Sequence, residues 1–214
     1  KLDKNQLERN GQPLREFSNP YLTDFFTDEA LGWLGSRTKP WFLFLSYNAP
    51  HGPLQATEED LAKFAHIENK KRRTYAAMML ALDRGVGKVQ AKLKESGQLE
   101  NTLIVFFSDN GGATGNASWN GPLSGVKGCL REGGVRVPMI WSWPDELPKN
   151  KTIHDPMITL HITATILAAA GVSVPPKLDG EDLIPFLKGE TSYDGERSLF
   201  WRFWNQAAVR AGDW

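Results

Sequence analysis

Residues 103–112 read LIVFFSDNGG. The five apolar residues from Leu103 to Phe107 are typical of a short strand that is buried on both faces. Asp109 and Asn110 follow almost at once, and two glycines come after them. Such an ending is either an ordinary strand-to-loop turn or a ligand site placed at the end of a strand.

Other apolar runs alternate with helical patterns along the chain. The run WFLFLSY at 41–47 predicts another buried strand, and VRVPMIWSWP at 135–144 is a third candidate. Apolar residues at the helical period predict helices over 72–97 and 158–171. This alternation implies crossover connections, so we expect an α/β fold with a mostly parallel sheet and helices on both faces.

The last part of the chain has a different character. The segments 198–203 and 207–214 predict two strands of a small antiparallel sheet. We therefore expect residues 1–195 to form the later part of an incomplete α/β domain. Residues 196–214 would begin a small C-terminal subdomain that is cut short.

Several residues mark helix ends. Thr57, which precedes three acidic residues, is a predicted N-cap, and Gly97 is a predicted C-terminal stop. Either Thr23 or Thr27 could cap an earlier helix. The basic run Lys70–Arg73 should form a solvated helix face.

Composition excludes some classes of function. The chain has 25 basic and 25 acidic residues, so no overall positive field favours nucleic acid. It contains no apolar run long enough to span a bilayer, and we expect no membrane partner. Its one cysteine, Cys129, cannot form an intrachain disulfide and does not fix the compartment. None of these observations bears on the oligomeric state.

Two polar segments should lie on the same edge of the predicted sheet. SYNAPHGP follows the first strand and SDNGG follows the second, and ligands bind outside the carboxyl ends of parallel strands. Asp109 and Asn110 offer a carboxylate and an amide oxygen, which suit Ca²⁺ or Mg²⁺ better than zinc. The alternative is an Asp/Asn turn with no ligand.

Two basic side chains could act on an anion. His51, between two prolines, is either a structural histidine or a donor to an anionic or leaving oxygen. Lys127, between Gly125 and Gly128, is either a surface lysine or an ammonium presented to an oxyanion.

Other chemistry-bearing residues are interpreted as structural. Glu132 and Arg136 are expected to form an ion pair, and Cys129 to pack without a catalytic partner. Trp201 and Trp204 could offer a ring face to a sugar or pack in a core.

Four stretches together resemble the formylglycine-dependent sulfatases of the alkaline phosphatase superfamily. They are FLFLSYNAPHGP, FFSDNGG, GPLSGVKGCLREGGVRVP and LFWR followed by AVRAGDW. The resemblance covers nearly the whole chain and is weakest before Tyr21. Asp-Asn within SDNG favours sulfatases, because phosphatase and phosphonate-hydrolase relatives usually have Asp-His there.

The resemblance assigns roles to four residues. Asp109 and Asn110 resemble two Ca²⁺ ligands, with Mg²⁺ less favoured. Lys127 resembles the lysine that contacts the sulfate, and His51 resembles the histidine near the leaving oxygen of the sulfate ester. The implied substrate is a small-molecule or carbohydrate sulfate ester. Family habit implies a periplasmic, secreted or lysosomal setting.

The chain departs from the family pattern in three respects, two of which are the absence of the early strand that ends in paired aspartates and a C-terminal sheet that is cut short. The Cys-x-Pro/Ala-Ser-Arg segment that yields formylglycine does not occur in it. We therefore expect a fragment corresponding to the middle and later part of a sulfatase, inactive by itself. The alternatives are a phosphoryl or phosphonyl ester hydrolase of the same superfamily and a non-catalytic sulfatase-like protein.

Overall fold

A computed structural model describes residues 7–16, 18–193 and 197–214. It contains both helices and strands and divides into two compact units. The first unit runs through Gly97 and includes residues 115–118, and the second comprises residues 98–114 and 119–214. The predicted domain boundary between residues 195 and 196 lies outside the described residues.

The first unit is mainly helical. Its helices α1 and α2 each pack against α3. Its elements are β1 (Glu8–Arg9), β2 (Gln12–Pro13), α1 (Leu22–Leu34), α2 (Glu58–Lys63) and α3 (Lys70–Glu95).

The helix α3 is 26 residues long and begins with the basic run Lys70–Arg73. Lys70, Lys71 and Arg72 are exposed, which confirms the predicted solvated face for these three, whereas Arg73 is half-buried and donates to the carbonyl oxygen of Ile67 at 2.8 Å. Gly97, just beyond the helix, has a φ of 69°, as expected of a stop glycine. In the described part of the chain, neither α3 nor another helix has the length and apolar character to cross a membrane.

A glycine allows close packing where α3 meets its neighbours. A Cβ at Gly85 would lie 2.7 Å from the hydroxyl oxygens of both Thr27 and Tyr47, which are themselves 2.8 Å apart. Thr27 also donates to the carbonyl oxygen of Thr23 at 2.8 Å. The predicted capping roles of these threonines are wrong, because α1 begins after Tyr21 and both lie buried within it.

A partly buried ion network joins the three helices. The guanidinium of Arg84 donates to both carboxylate oxygens of Asp60, at 2.7 and 2.9 Å, and to Asp24 at 3.2 Å. These bonds hold the pKa of Asp60 below its usual value. The backbone N–H of Asp60 donates to the Thr57 hydroxyl at 3.2 Å, which confirms Thr57 as an N-cap.

The run 41–47 does not form the predicted buried strand. Neither helix nor strand is assigned to it, and exposure alternates along it, with Phe42 65% and Phe44 70% exposed. This alternation is that of an extended chain with one uncovered face. No strand in the described residues pairs with its backbone, which is why no ladder forms.

The second unit contains two separate antiparallel strand pairs. Ile104 pairs with Ser142 and Phe107 with Met139, and these strands are half-buried rather than fully buried. All the sheets found in the described residues are antiparallel pairs, so the predicted parallel sheet is not observed. The elements are β3 (Ile104–Phe107), α4 (Glu132–Val135), β4 (Met139–Ser142), α5 (Leu160–Ala169), α6 (Ile184–Lys188), β5 (Leu199–Phe203) and β6 (Gln206–Arg210). A short 3-10 helix, Thr114–Asn116, begins in the second unit and continues into residues that belong to the first.

Both strands of the predicted C-terminal pair are present. β5 and β6 form an antiparallel hairpin in which Phe203 is opposite Gln206. Trp204 lies in the turn with a φ of 55° and is exposed, so it does not pack in a core.

A buried histidine ties α5 to the segment before α6. The backbone N–H of Glu181 donates to Nδ1 of His161 at 3.0 Å, and Nε2 lies 3.2 Å from the Tyr193 hydroxyl. Because Nδ1 accepts, the neutral ring carries its hydrogen on Nε2. Burial lowers the pKa of His161, and Arg197 lowers it further.

Candidate functional site

The Asp-Asn loop, residues 108–112, begins where β3 ends. The hydroxyl of Ser108 donates to the carbonyl oxygen of Asn110 at 2.9 Å, which fixes the turn. The amide nitrogen of Asn110 donates to Gly111 at 3.0 Å, so its oxygen Oδ1 remains available. Asp109 is exposed, and its carboxylate makes no ion pair with a described residue.

The lysine loop, residues 120–129, lies against the Asp-Asn loop. The backbone N–H of Lys127 donates to the carbonyl oxygen of Gly112 at 3.1 Å. Gly125 and Gly128, on either side, have φ values of 103° and 91°, which favour glycine. The side chain of Lys127 is exposed, and no described residue hydrogen-bonds its ammonium. The ammonium is therefore free to meet an anion.

Glycines allow α4 to contact both loops through the backbone. A Cβ at Gly111 would lie 1.8 Å from the carbonyl oxygen of Gly133, and one at Gly134 would lie 2.1 Å from that of Cys129. Backbone hydrogen bonds run from Gly111 to Gly134 at 2.9 Å and from Gly133 to Ser124 at 2.7 Å. These three segments leave no space for a side chain where they meet.

One side chain also bridges the two loops. The Asn120 amide oxygen accepts from the N–H of Gly112 at 2.8 Å. Its amide nitrogen donates to the carbonyl oxygens of Gly112 at 2.9 Å and Gly125 at 3.2 Å. Sequence analysis did not single out this residue.

His51 belongs to the first unit and is exposed. Its Nδ1 lies 2.7 Å from the carbonyl oxygen of Gly52. Because a carbonyl oxygen can only accept, Nδ1 carries the hydrogen, and Nε2 is the nitrogen available to a substrate. Within the same unit, the Asn116 side chain donates to the carbonyl oxygen of Pro50 at 3.3 Å and helps to hold this loop.

Glu132 joins α4 to the C-terminal hairpin. Its carboxylate oxygens lie 3.0 Å from Arg136 and 3.4 Å from Arg210. The first of these contacts confirms the predicted ion pair. The second could not be expected from local sequence, because 78 residues separate the partners.

Cys129 has a structural role in the lysine loop. Its sulfur accepts from the N–H of Val126 at 3.2 Å and would lie 2.5 Å from a Cβ at Gly125. Hydrogen bonds from Val126 and Arg131 lower the pKa of the thiol. The contact with Gly125 supports the interpretation that Cys129 packs.

The donor set fits part of a hard-cation site. Asp109 and Asn110 provide side-chain oxygens that no described residue hydrogen-bonds, and both are of the type that Ca²⁺ and Mg²⁺ prefer. The described residues contain no group of three or more His, Cys, Asp or Glu suited to a metal. Since Ca²⁺ takes six to eight oxygens, this pair alone would be a small part of its shell.

A cleft of about 1470 Å³ in the second unit reaches this pair. Asp109 and Asn110 line it together with Trp201 and Arg202 of the hairpin. The cleft is a broad groove open to solvent, and Lys127 is not among the residues that line it.

Comparison with known proteins identifies the family. The family model described as Sulfatase matches residues 2–172. The chain belongs to the sulfatase family. It is 33% identical over 189 residues to an uncharacterized sulfatase, YdeN, of Escherichia coli, a match that covers 85% of this chain. It is also 31% identical over 237 residues to a sulfatase of Formosa agariphila, with 97% of this chain covered.

A solved structure supports the same assignment. The crystal structure of Ps i-CgsB in complex with k-i-k-neocarrahexaose is similar to this chain with a TM-score of 0.90 and 40% identity. The match covers 96% of this chain and 47% of that one. The chain spans 33% of the E. coli sulfatase and 43% of the Formosa sulfatase. Because the chain covers less than half of each of these proteins, their activity is not by itself an observation about this chain.

The structure brings together three of the four residues predicted for the sulfatase site. Asp109, Asn110 and Lys127 lie on two loops that share a backbone hydrogen bond, whereas His51 lies in the other unit. The residues that sequence analysis missed are those that join the loops, namely Asn120 and the glycines of α4. The sequence features that could have indicated them are the turn residues Asn120-Gly121-Pro122 and the pair Gly133-Gly134.

Proposed function

We propose that this chain is the sulfate-binding part of a sulfuric ester hydrolase that acts on a sulfated carbohydrate. The observation that carries the proposal is the 3.1 Å hydrogen bond from Lys127 to Gly112, which joins the lysine loop to the Asp-Asn loop. It brings a free ammonium into the same loop cluster as two oxygen donors. A cation and an ammonium held together would offset negative charge on a transferring sulfuryl group.

Each residue then has a distinct task. Lys127 would bind a sulfate oxygen through its free ammonium. Asp109 and Asn110 would hold Ca²⁺ through the carboxylate and Oδ1, with Mg²⁺ as the second choice. In its imidazolium form, with Nδ1–H on the Gly52 carbonyl oxygen, His51 would donate the Nε2 proton to the leaving ester oxygen. Bound Ca²⁺ would supply Lewis-acid polarisation of the sulfate, and the nucleophile would be a formylglycine on a segment that is not in this sequence.

The substrate class follows from the carbohydrate-bound relative. Ps i-CgsB was crystallised with k-i-k-neocarrahexaose and shares 40% identity over 96% of this chain. The volume of the cleft and the presence of Trp201 in its wall fit an oligosaccharide, because aromatic rings can stack on sugars. We therefore favour a sulfated oligosaccharide over a small aryl sulfate as the natural substrate.

Three finer predictions belong to this proposal. The run 41–47, which is extended here, would be one strand of a mostly parallel sheet in the complete enzyme. Residues 196–214 would begin a C-terminal subdomain. The setting would be periplasmic, secreted or lysosomal, in keeping with family habit.

The deciding experiment measures sulfate release with Ca²⁺ supplied. The 214-residue chain alone should release no sulfate from an aryl sulfate or a sulfated oligosaccharide, since no described residue is an activated nucleophile. A protein that contains this sequence together with a Cys-x-Pro/Ala-Ser-Arg segment should be active. In that protein Lys127→Ala should lower kcat about 10²- to 10³-fold, the typical effect of removing one charge-stabilising donor.

The matched control is Lys70→Ala, which removes an exposed lysine at the start of α3 and should leave kcat unchanged. Turnover by the 214-residue chain alone would contradict the proposal. Faster hydrolysis of an aryl phosphate than of the aryl sulfate would favour the phosphoryl alternative. If the coding sequence contained no formylglycine segment, the non-catalytic alternative would be correct.

Metal binding provides a separate prediction. The 214-residue chain should bind Ca²⁺ only weakly, because Asp109 and Asn110 supply two of the six to eight oxygens required. Calorimetric titration of the chain with Ca²⁺ checks this. The Asp109→Asn variant serves as the comparison, and tight one-to-one binding by the unaltered chain would show that a shell exists elsewhere.

A further inference from the structure

The side chain of Asn120 joins the Asp-Asn loop to the lysine loop through hydrogen bonds to backbone groups. It accepts one hydrogen bond from Gly112 and donates one back to the same residue, at 2.8 and 2.9 Å. Its remaining N–H reaches Gly125 at 3.2 Å. Thus one amide holds both loops.

The bonded residues are close in sequence to the proposed site residues. Gly112 is two residues from Asn110, and Gly125 is two residues from Lys127. The carbonyl oxygen of Gly112 accepts from both Asn120 and the N–H of Lys127. A movement of Asn120 would therefore alter the spacing between the oxygen donors and the ammonium.

The chemistry of this position requires an amide. A primary amide provides one acceptor and two N–H donors in a single plane, which matches the N–H of Gly112 and the two carbonyl oxygens. Aspartate could still accept from Gly112, but it would place a carboxylate against two carbonyl oxygens. Alanine would leave all three backbone groups without this partner.

We propose that Asn120 is a positioning residue for the sulfate site, and that it sets the distance between the Ca²⁺ ligands and Lys127. This inference rests on the proposed function. The amide oxygen and nitrogen of Asn120 bond backbone groups of Gly112 and Gly125, so Asn120 would act through the two loops.

The test uses the active, formylglycine-containing protein that carries this sequence, with an aryl sulfate as substrate. Asn120→Ala and Asn120→Asp should each lower kcat about 10- to 100-fold, the usual effect of losing a residue that orients a site ligand. The matched control is Asn69→Ala. Asn69 is also an asparagine whose side chain bonds backbone, since it accepts from Arg72 at 3.0 Å, but it caps α3 in the first unit. Its loss should leave kcat per folded molecule unchanged.

A double-mutant cycle separates positioning from a general structural role. If Asn120 acts through Lys127, then Asn120→Ala should lower kcat less than about 3-fold when Lys127 is already alanine, because the two effects are coupled. A general loss of structure would cost the same factor in both backgrounds. Rates are normalised to the folded fraction measured by circular dichroism.

Two results would overturn the inference while leaving the sulfatase function intact. One is an Asn120→Ala protein that is folded and retains the wild-type kcat. The other is an equal loss with and without Lys127. An unaltered protein that released no sulfate would instead refute the proposed function, and this inference with it. Amide hydrogen exchange at Gly112 provides a second readout, since protection there should fall in Asn120→Ala and persist in Asn69→Ala.

Discussion

The helices of the first unit and the loops of the second are held together in different ways. In the first unit, the long side chain of Arg84 reaches from α3 to Asp60 and Asp24 on its neighbours. In the second, backbone meets backbone at Gly111, Gly133 and Gly134. Side-chain contacts can adjust through rotamers, whereas contacts between backbone atoms fix the loops rigidly. The proposed anion site therefore lies on loops that are held by backbone contacts.

The largest loss of stability should come from the side-chain network. Arg84→Ala leaves Asp60, which is 1% exposed, without its main partner, and should lower the free energy of unfolding by about 3 kcal/mol. Urea denaturation measures this change. Glu95→Ala, which breaks the exposed Lys92–Glu95 pair, is the control and should cost about 0.5 kcal/mol or less. Similar losses in both variants would mean that the partly buried network contributes no more than a surface pair.

A smaller loss of stability is expected from substituting Gly111, which lies where the Asp-Asn loop contacts the backbone of α4. Gly111→Ala would place a methyl group 1.8 Å from the carbonyl oxygen of Gly133, so the loops must separate. We expect a loss of about 1–3 kcal/mol in stability, the usual cost of overpacking. Thermal unfolding of the chain tests this expectation.

The matched control for that substitution lies in α3. A Cβ at Gly87 would have no atom within 4 Å, and Gly87 is helical. Gly87→Ala should therefore raise stability by up to about 1 kcal/mol through helix propensity. The comparison would fail if both substitutions changed stability in the same direction.

The smallest expected effect is a dependence of stability on pH. It arises from His161, a buried side chain that has a structural role in the second unit. The folded state lowers the pKa of His161, so the unfolded chain binds a proton first as pH falls. The stability that His161 contributes is therefore present above its ordinary pKa of about 6.5 and is lost progressively below it.

His161→Asn should retain an acceptor for the N–H of Glu181 but cannot titrate in this range. Melting temperatures between pH 8 and pH 5 should therefore fall more steeply for the unaltered chain than for the variant. The nearby titratable and charged groups, Glu181, Tyr193 and Arg197, are the same in both proteins. Parallel curves would show that the folded and unfolded chains bind a proton at this ring equally well, so that burial does not lower its pKa.

Local patterns predicted the helices well and the sheets poorly. The Thr57 cap and the Gly97 stop depend on neighbouring residues, and both are found where expected. Strand pairing depends on distant residues, and a sequence does not reveal which segment will lie beside the run 41–47. The antiparallel pairing of β3 with β4 was missed for the same reason.

In the candidate site, too, some features could be predicted from local sequence and others depend on distant residues. Residue type was sufficient to select Asp109, Asn110 and Lys127, because each offers a group that suits a cation or an anion. The role of Asn120 depends on two loops folding against each other, which no local pattern encodes. His51 lies in the first unit, and its predicted place beside the other three remains a prediction.

The run 41–47 also affects how the chain behaves in concentrated solution. Phe42 and Phe44 expose most of their rings, and the backbone between them is not paired in a ladder within the described residues. Extended segments with these properties act as templates for strand addition between molecules, which leads to aggregation. Solubility, rather than unfolding, is therefore expected to limit the concentration at which the chain can be handled, and a charged residue in place of Phe44 would act as a gatekeeper against this association.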